Sequence, residues 1–306
     1  MHRALLTGGA GFMGSATARA LRAAGWRVTV LDALTYAGRR DNLAGVDCEF
    51  VHGDVCDAAR VDALVAEAAV VVHMAAESHV ERSLRDAAPF VRTNVEGTRV
   101  VLDACTRRDR PLVHVSTDEV FGSAEPGQLF REDDALRPNN PYAATKAAGE
   151  LLVRAWRVTG LRAKLVRCTN NYGPRQHEEK AVSGWVRRAI RGEPLPLHGK
   201  GEAVRDWLHV DDFAAAIAKV VAYEGPRDVF HLAGQQPRTN REMAEAVARL
   251  CGGARIVEVP DRPGQDARYA LDDAGTRADL GWAPRISLEE GLPALVARVR
   301  DGAFAA

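Results

Sequence analysis

The sequence predicts an α/β protein built on a doubly wound parallel sheet. Three observations carry that expectation. Short apolar runs recur at residues 4–7, 28–32, 49–53, 70–74, 112–116 and 163–167. Stretches of helical periodicity separate them: a glycine turn and helix to about residue 24, then 58–68, 89–106 and 141–159. Strand–helix–strand alternation of this kind belongs to parallel βαβ units with right-handed crossovers. The third observation is local: the first apolar run leads directly into glycines that open a helix.

The later elements follow a looser pattern. After Asn170 the alternation weakens, and prolines and glycines cluster at residues 192–201, 225–226 and 261–264. Helical patterns remain at 211–223, 240–250 and 288–300, and residues 229–232 read as a strand that returns to the main sheet. The expected organisation is a dinucleotide-binding domain over residues 1–169 and, over 170–306, a smaller α+β domain for the substrate. No internal repeat or low-complexity tract interrupts this.

Composition narrows the function. The 306 residues carry 41 basic and 41 acidic side chains, so no global positive field recruits nucleic acid or an anionic membrane. Charged residues break every long apolar run, and no membrane span is expected. An apolar strand begins within three residues of the start, leaving no space for a signal peptide. The five cysteines form no C-x-x-C pair and have no zinc-ligand spacing, which suits reduced thiols in a cytoplasmic protein with no metal. Only five of the basic residues are lysines, among them Lys146 and Lys180.

The first turn, Thr7-Gly8-Gly9-Ala10-Gly11-Phe12-Met13-Gly14, fits G-x-G-x-x-G. Between a strand and a helix, such glycines let the backbone approach a pyrophosphate that rests on the helix N-terminus, the arrangement of a Rossmann-type sheet. Asp32 ends the second strand, where a carboxylate accepts ribose hydroxyls and repels a 2′-phosphate; NAD is therefore favoured over NADP. A tight glycine turn with a capping aspartate would read the same way. Asp54 and Val55 are placed to hold the adenine. Ala75 and Ala76 let the backbone pass close to a cofactor, although core packing accounts for them equally well.

Tyr142 and Lys146 stand four apart on one face of a helix that Asn140 caps and Pro141 begins. An ammonium near a phenol lowers the phenol pKa, so Tyr142 is read as a general base. Thr117, Asp118 and Glu119 end a strand, where open α/β sheets bind ligands. A hydroxyl followed by two acids suits acid–base work on a sugar; a solvated loop with capping carboxylates is the alternative.

Together these features resemble the extended short-chain dehydrogenase/reductases. The run Ser116-Thr117-Asp118-Glu119-Val120-Phe121-Gly122 is similar to the dTDP-glucose 4,6-dehydratases in particular. So are residues 76–83, 93–98, Asn170-Asn171-Tyr172-Gly173-Pro174, Glu179-Lys180, residues 199–201, 205–208 and Asp261-Arg262-Pro263-Gly264. Sugar 4-epimerases of the superfamily usually lack the acidic pair. The resemblance implies that Tyr142 takes the C4 hydroxyl proton as hydride leaves for NAD and that Thr117 hydrogen-bonds the C4 oxygen. It further implies that Glu119 removes the C5 hydrogen, that Asp118 protonates the departing C6 hydroxyl, and that Ser78, Asn170 and Lys180 contact the substrate. Arg205 and Arg262 would hold the diphosphate, an assignment that an arginine-rich surface weakens. It also implies a homodimer formed through the helix of Tyr142 and the one before it.

The match departs at Arg175-Gln176-His177-Glu178, at His198 where a tyrosine is usual, and at Gln265 where histidine is usual. All three fall where the nucleotide half would lie. The leading expectation is thus NAD-dependent 4,6-dehydration of a nucleotide-linked glucose. A 4-epimerase or another NDP-hexose dehydratase, UDP-linked for example, is the second, and a non-catalytic NAD-binding module the third.

Overall fold

Both faces of the central sheet are covered, which is why most of its inner strands read as largely apolar runs. In β1 (Arg3–Thr7), Ala4 and Leu6 join one core and Leu5 the other. The same alternation divides Val28 and Val30 from Leu31 in β2 (Arg27–Asp32). It recurs after β3 (Glu49–His52), with Val70 and Val72 set against Val71 in β4 (Val70–His73). β5 (Leu112–Thr117) and β6 (Ala163–Cys168) complete a parallel set in the order β6-β5-β4-β1-β2-β3. The computed structural model describes residues 2–302.

Helix α1 (Phe12–Ala23) covers one face of this sheet. On the other lie α2 (Ala58–Glu67) and, beyond α3 (Val80–Arg85) and the short α4 (Ala88–Phe90), α5 (Gly97–Arg107) and α6 (Pro141–Val158). The single helix expected at 89–106 contains a π-helical turn, Val91–Glu96. Such bulges are common at functional sites. This one carries buried Asn94, whose amide bonds both the N–H and C=O of Glu77 and the Thr145 hydroxyl, each at 2.9 Å. The loop after β4 is thereby tied to α6.

Beyond Asn170 the chain divides between the main sheet and a second core. β7 (Asn170–Tyr172), α7 (Ala181–Ile190), β8 (Leu195–His198) and β9 (Val204–His209) lead to α8 (Val210–Ala222), which packs back on α1. β10 (Val229–Leu232) then pairs parallel to β6, so this strand does return and makes the sheet seven-stranded. β11 (Pro237–Thr239) joins β9 and β7; α9 (Asn240–Leu250) precedes β12 (Ile256–Val259), which pairs with β8. α10 (Ala274–Leu280) packs near β10, and α11 (Leu288–Arg300) closes the second core around Tyr172, Trp185 and Trp207.

Candidate active site

Across the carboxyl ends of β3, β2, β1, β4, β5 and β6 runs one cavity of about 690 Å³. Strand order reverses between β1 and β4, the position at which such sheets bind ligands. The expected cofactor residues Gly8, Gly11, Phe12, Met13, Gly14, Asp32, Asp54, Val55, Ala75 and Ala76 all line it. So do Thr117, Asp118, Glu119, Tyr142 and Lys146, and so do Ser78, Asn170 and Lys180.

The glycine loop has the shape a dinucleotide requires. Gly8 has φ +70, and a Cβ there would stand 2.7 Å from the Ala75 backbone. A Cβ on Gly14 would lie 2.1 Å from the Gly8 carbonyl oxygen. Thr7 closes the turn from below, its hydroxyl accepting the Met74 and Ala75 N–H groups at 3.2 Å. Asp32 is oriented by the N–H groups of Ala10 (2.9 Å) and Leu34 (2.8 Å). Two carboxylate oxygens offer about four acceptor positions, so the Asp32 carboxylate keeps capacity for hydroxyls. Burial raises the Asp54 carboxyl, but the Cys56 N–H and Arg92 at 2.7 Å outweigh it and hold the group below its usual range. The fold and the loop fit NAD.

At the other side, Asp118 and Glu119 begin a 3-10 turn, Asp118–Phe121, that follows β5 directly. Asp118 is buried, takes a hydrogen bond from the Thr117 hydroxyl at 3.2 Å, and leaves Oδ2 without a partner. Burial and then the Glu119 charge push its pKa well up, against Arg205. Burial thus favours its protonated form at the cavity wall. Lys180 donates to the Ser78 carbonyl at 2.6 Å, and burial lowers its pKa against the charges of Glu179 and Glu119. The buried Asn170 Oδ1 has no partner.

One expectation needs correction, and two expected substrate residues lie outside the cavity. The Tyr142 phenol is not lowered by Lys146. Burial and then the Glu119 charge push it well up, while Lys146 donates to the Val115 carbonyl at 2.7 Å and is itself held by burial to a pKa of about 8. A shared helix face gives proximity, but main-chain bonding claims the ammonium. Nor do Arg205 and Arg262 line the cavity. Arg205 is buried, gives 2.8 Å bonds to the carbonyls of Val204 and Asp266, and lies 4.1 Å over the Tyr269 ring. Arg262 turns its fork to Gln265 at 3.1–3.2 Å, the residue that replaces the family's usual histidine, and faces Glu81 at 3.6 Å.

Sequence reasoning missed other lining residues. Tyr36, His177 and Glu179 line the cavity from three segments. The Tyr36 ring meets His177 edge-on at 5.5 Å and lies under the Arg82 guanidinium at 3.9 Å. Arg82 in turn stands 3.3 Å from Glu179. The Glu-Lys pair and the Tyr-Ala-Gly run after β2 were the available signals.

A glycine loop on a helix N-terminus, an acidic strand-end residue and a Tyr–Lys helix at the switch point define a nicotinamide-dependent enzyme. The chain belongs to the NAD dependent epimerase/dehydratase family, whose pattern matches residues 4–249. It is 46% identical to a dTDP-glucose 4,6-dehydratase of Streptomyces niveus, over 98% of this chain and 93% of that one. It is 47% identical to the low-salt glycan biosynthesis protein Agl12 of Haloferax volcanii, over 95% and 96%. Among solved structures, DesIV, the dTDP-glucose 4,6-dehydratase of Streptomyces venezuelae with NAD bound, superposes with a TM-score of 0.94 at 42% identity, covering 98% of this chain and 97% of that one. A UDP-glucose 4-epimerase of Thermus thermophilus gives 0.91 at 32%, over 97% and 99%.

Proposed function

We propose that this protein catalyses NAD-dependent 4,6-dehydration of dTDP-glucose, giving the 4-keto-6-deoxy sugar nucleotide. The observation that carries the reading is Asp118: a buried acid with an unpartnered Oδ2, its pKa pushed up by burial, next in sequence to Glu119 and in the same cavity as Tyr142. Epimerisation at C4 requires no such acid.

In this reading Gly8, Gly11, Phe12, Met13 and Gly14 hold the pyrophosphate side of NAD, Asp32 the ribose, Asp54 and Val55 the adenine, and Ala75, Ala76 and Lys146 the nicotinamide side. Bound NAD supplies a hydride acceptor and donor, and its positive charge favours ionisation of nearby acids. Tyr142 takes the C4 hydroxyl proton while Thr117 hydrogen-bonds that oxygen. The resulting ketone acidifies the C5 hydrogen, which Glu119 removes. Asp118 gives its proton to the departing C6 oxygen, and water leaves. The C5–C6 double bond left by water loss would be saturated by return of the stored hydride from the bound cofactor to C6, while Glu119 gives a solvent-exchanged proton to C5. Ser78, Asn170 and Lys180 orient the glucosyl unit, and residues 170–306 carry most of the nucleotide half. Arg205 and Arg262 reach the diphosphate only by exchanging their present partners.

We further assign a homodimer. α3 and α5 each pack on α6, the Val91–Glu96 turn packs on α5 and α6, and these segments expose Leu84, Val91 and Leu151. Among the described residues no helix is long and apolar enough to cross a membrane, and all five cysteines are free; we place the protein in the cytoplasm.

The test is mass spectrometry of dTDP-, UDP-, GDP- and CDP-glucose incubated with the purified protein in deuterated water. Loss of one water from dTDP-glucose with deuterium at C5 is the expected result. Unchanged mass with inversion at C4 would establish an epimerase instead.

A further inference from the structure

Asn140 does two jobs with one side chain. Proline at 141 confines its predecessor to extended backbone, and Asn140 has φ −143 and ψ 161, the conformation of a helix N-cap. Its Oδ1 accepts the Ala143 N–H at 2.9 Å. That bond settles which way the amide faces, because a backbone donor requires the oxygen. The NH₂ group must then point the other way, where it donates to Glu119 Oε2 at 3.3 Å.

The surroundings hold this amide in place. Asn140 is buried. Its neighbour Asn139 donates to Asp266, which also accepts from the Ser123 hydroxyl at 3.0 Å and the Tyr269 hydroxyl at 2.9 Å. The strand-end turn of Glu119 and the first turn of α6, which carries Tyr142, are therefore joined through one rigid amide. The charged and titratable groups facing Glu119 are Asp118 beside it, Tyr142 on α6, Lys180 before α7, and Tyr269 beneath Arg205.

We infer that Asn140 is a positioning residue for the C5 deprotonation. Its amide donates to the Glu119 carboxylate and fixes that base relative to Tyr142. The inference rests on the reading that Glu119 removes the C5 proton.

Serine and aspartate cap helices about as well as asparagine, so Asn140→Ser and Asn140→Asp test the second bond while keeping the first. The NAD-loaded variants are given dTDP-glucose in deuterated water. Three quantities are followed: the transient NADH absorbance, deuterium entry at C5, and the pH profile of kcat. In Asn140→Ser the NADH transient, KM and melting temperature are expected to persist while C5 exchange slows roughly 10–100-fold. In Asn140→Asp a carboxylate faces Glu119, and the acid limb of kcat moves to higher pH by about one unit. If Asn140 were only a helix cap, both variants would leave C5 exchange and the pH profile alone. Wild-type C5 exchange and pH profile in both variants would overturn the inference. Glu119→Gln separates the two levels. Its loss of C5 exchange with the Asn140 variants unaffected sinks only the role of Asn140; its retention of exchange sinks the assignment of the base and this inference with it.

Discussion

Replacing Glu150 by glutamine strands a buried charge. Glu150 and Arg167 both have fully buried side chains. Arg167 Nε lies 3.1 Å from each carboxylate oxygen, and a terminal nitrogen lies 2.8 Å from Oε2. The remaining donor reaches the Glu132 carbonyl at 3.0 Å and His231 at 3.1 Å, and the guanidinium sits 4.6 Å over Phe121. His231 offers no countercharge: burial and Arg167 hold its pKa to about 3, so the ring is neutral, and its protonated form would only add a second cation. Glutamine keeps the shape but leaves Arg167 without its anion. Removing one partner of a buried pair costs about 3–5 kcal/mol. At roughly 2.1 cal/mol/K of unfolding entropy per residue, that lowers Tm by about 5–8 °C for a chain of this length. The double replacement Glu150→Leu/Arg167→Met removes both charges and should recover most of the loss. A second effect reaches the active site. The Glu150 charge raises the pKa of Lys146, one turn earlier on α6, against the burial that lowers it to about 8. In Glu150→Gln the ammonium is lost at lower pH, and the high-pH decline of kcat begins earlier. Calorimetry and a kcat–pH profile measure the two effects. A variant melting within about 1 °C of wild type, with its pH profile unmoved, would refute both steps.

The remaining predictions concern the cofactor loop, the acid, the lysine and the dimer. Gly14→Ala puts a methyl group 2.1 Å from the Gly8 carbonyl oxygen and 2.7 Å from Gly9 Cα, both backbone; NAD affinity by calorimetric titration should collapse, and undiminished binding would contradict the assigned loop. Asp118→Asn retains a donor but has no proton to release, so water loss should fall about 10²–10⁴-fold while the NADH transient and C5 exchange continue; normal dehydration would remove Asp118 from the mechanism. Lys146 gives up its proton at about 8 in the folded chain and at 10.5 in an ordinary setting. Activity should therefore decline above pH 8. Stability should rise between those values, because the unfolded state binds more protons there. Lys146→Met should flatten that rise in urea titrations. Leu151→Glu places a charge on the exposed apolar side of α6 and should shift sedimentation from dimer to monomer; a monomeric wild type would refute the interface.

The sheet was legible because burial on both faces made most of its inner strands largely apolar runs. The helices at 240–250 and 288–300 were equally clear, each closed by a capping box, Thr239 with Glu242 and Ser287 with Glu290. β9 was not legible, since Val204–His209 carries Arg205 and Asp206 in buried positions. Asp206 accepts the N–H groups of Gly234, Gln235 and Gln236 at 2.6–3.1 Å, so polar residues serve as structural braces where hydropathy suggests surface. β7 and β11, three residues each, are too short to show a period. At the site, spacing correctly brought Tyr142 and Lys146 to one cavity, yet it misjudged the electrostatic effect of one on the other. The direction of an ammonium depends on which carbonyl lies in reach, and here Val115 comes from another element. Arg205 lies outside the cavity for a similar reason: the residue type suits phosphate, while the partners it holds here are main-chain carbonyls.

Adjacent carboxylates can be an acid and a base only if the chain separates their environments. The 3-10 turn after β5 supplies the separation. With about three residues per turn, successive side chains leave the axis about 120° apart. Asp118 is directed into the wall, toward Cys168 and Arg205, where burial favours its protonated form. Glu119 turns toward donors instead: the Asn140 amide and the Lys180 charge. An extended continuation of β5 would instead send the two consecutive side chains to opposite faces. The short turn is thus part of the chemistry, and what maintains it is the Thr117 hydroxyl, which accepts the Glu119 N–H at 3.3 Å. Thr117 accordingly has a structural claim on the acid–base pair as well as a chemical one on the C4 oxygen. Thr117→Val, which keeps the shape and removes the hydroxyl, should impair C5 exchange in addition to C4 oxidation. A variant slowed at C4 alone, with C5 exchange of a preformed 4-keto sugar nucleotide at the wild-type rate, would show that the turn stands without it.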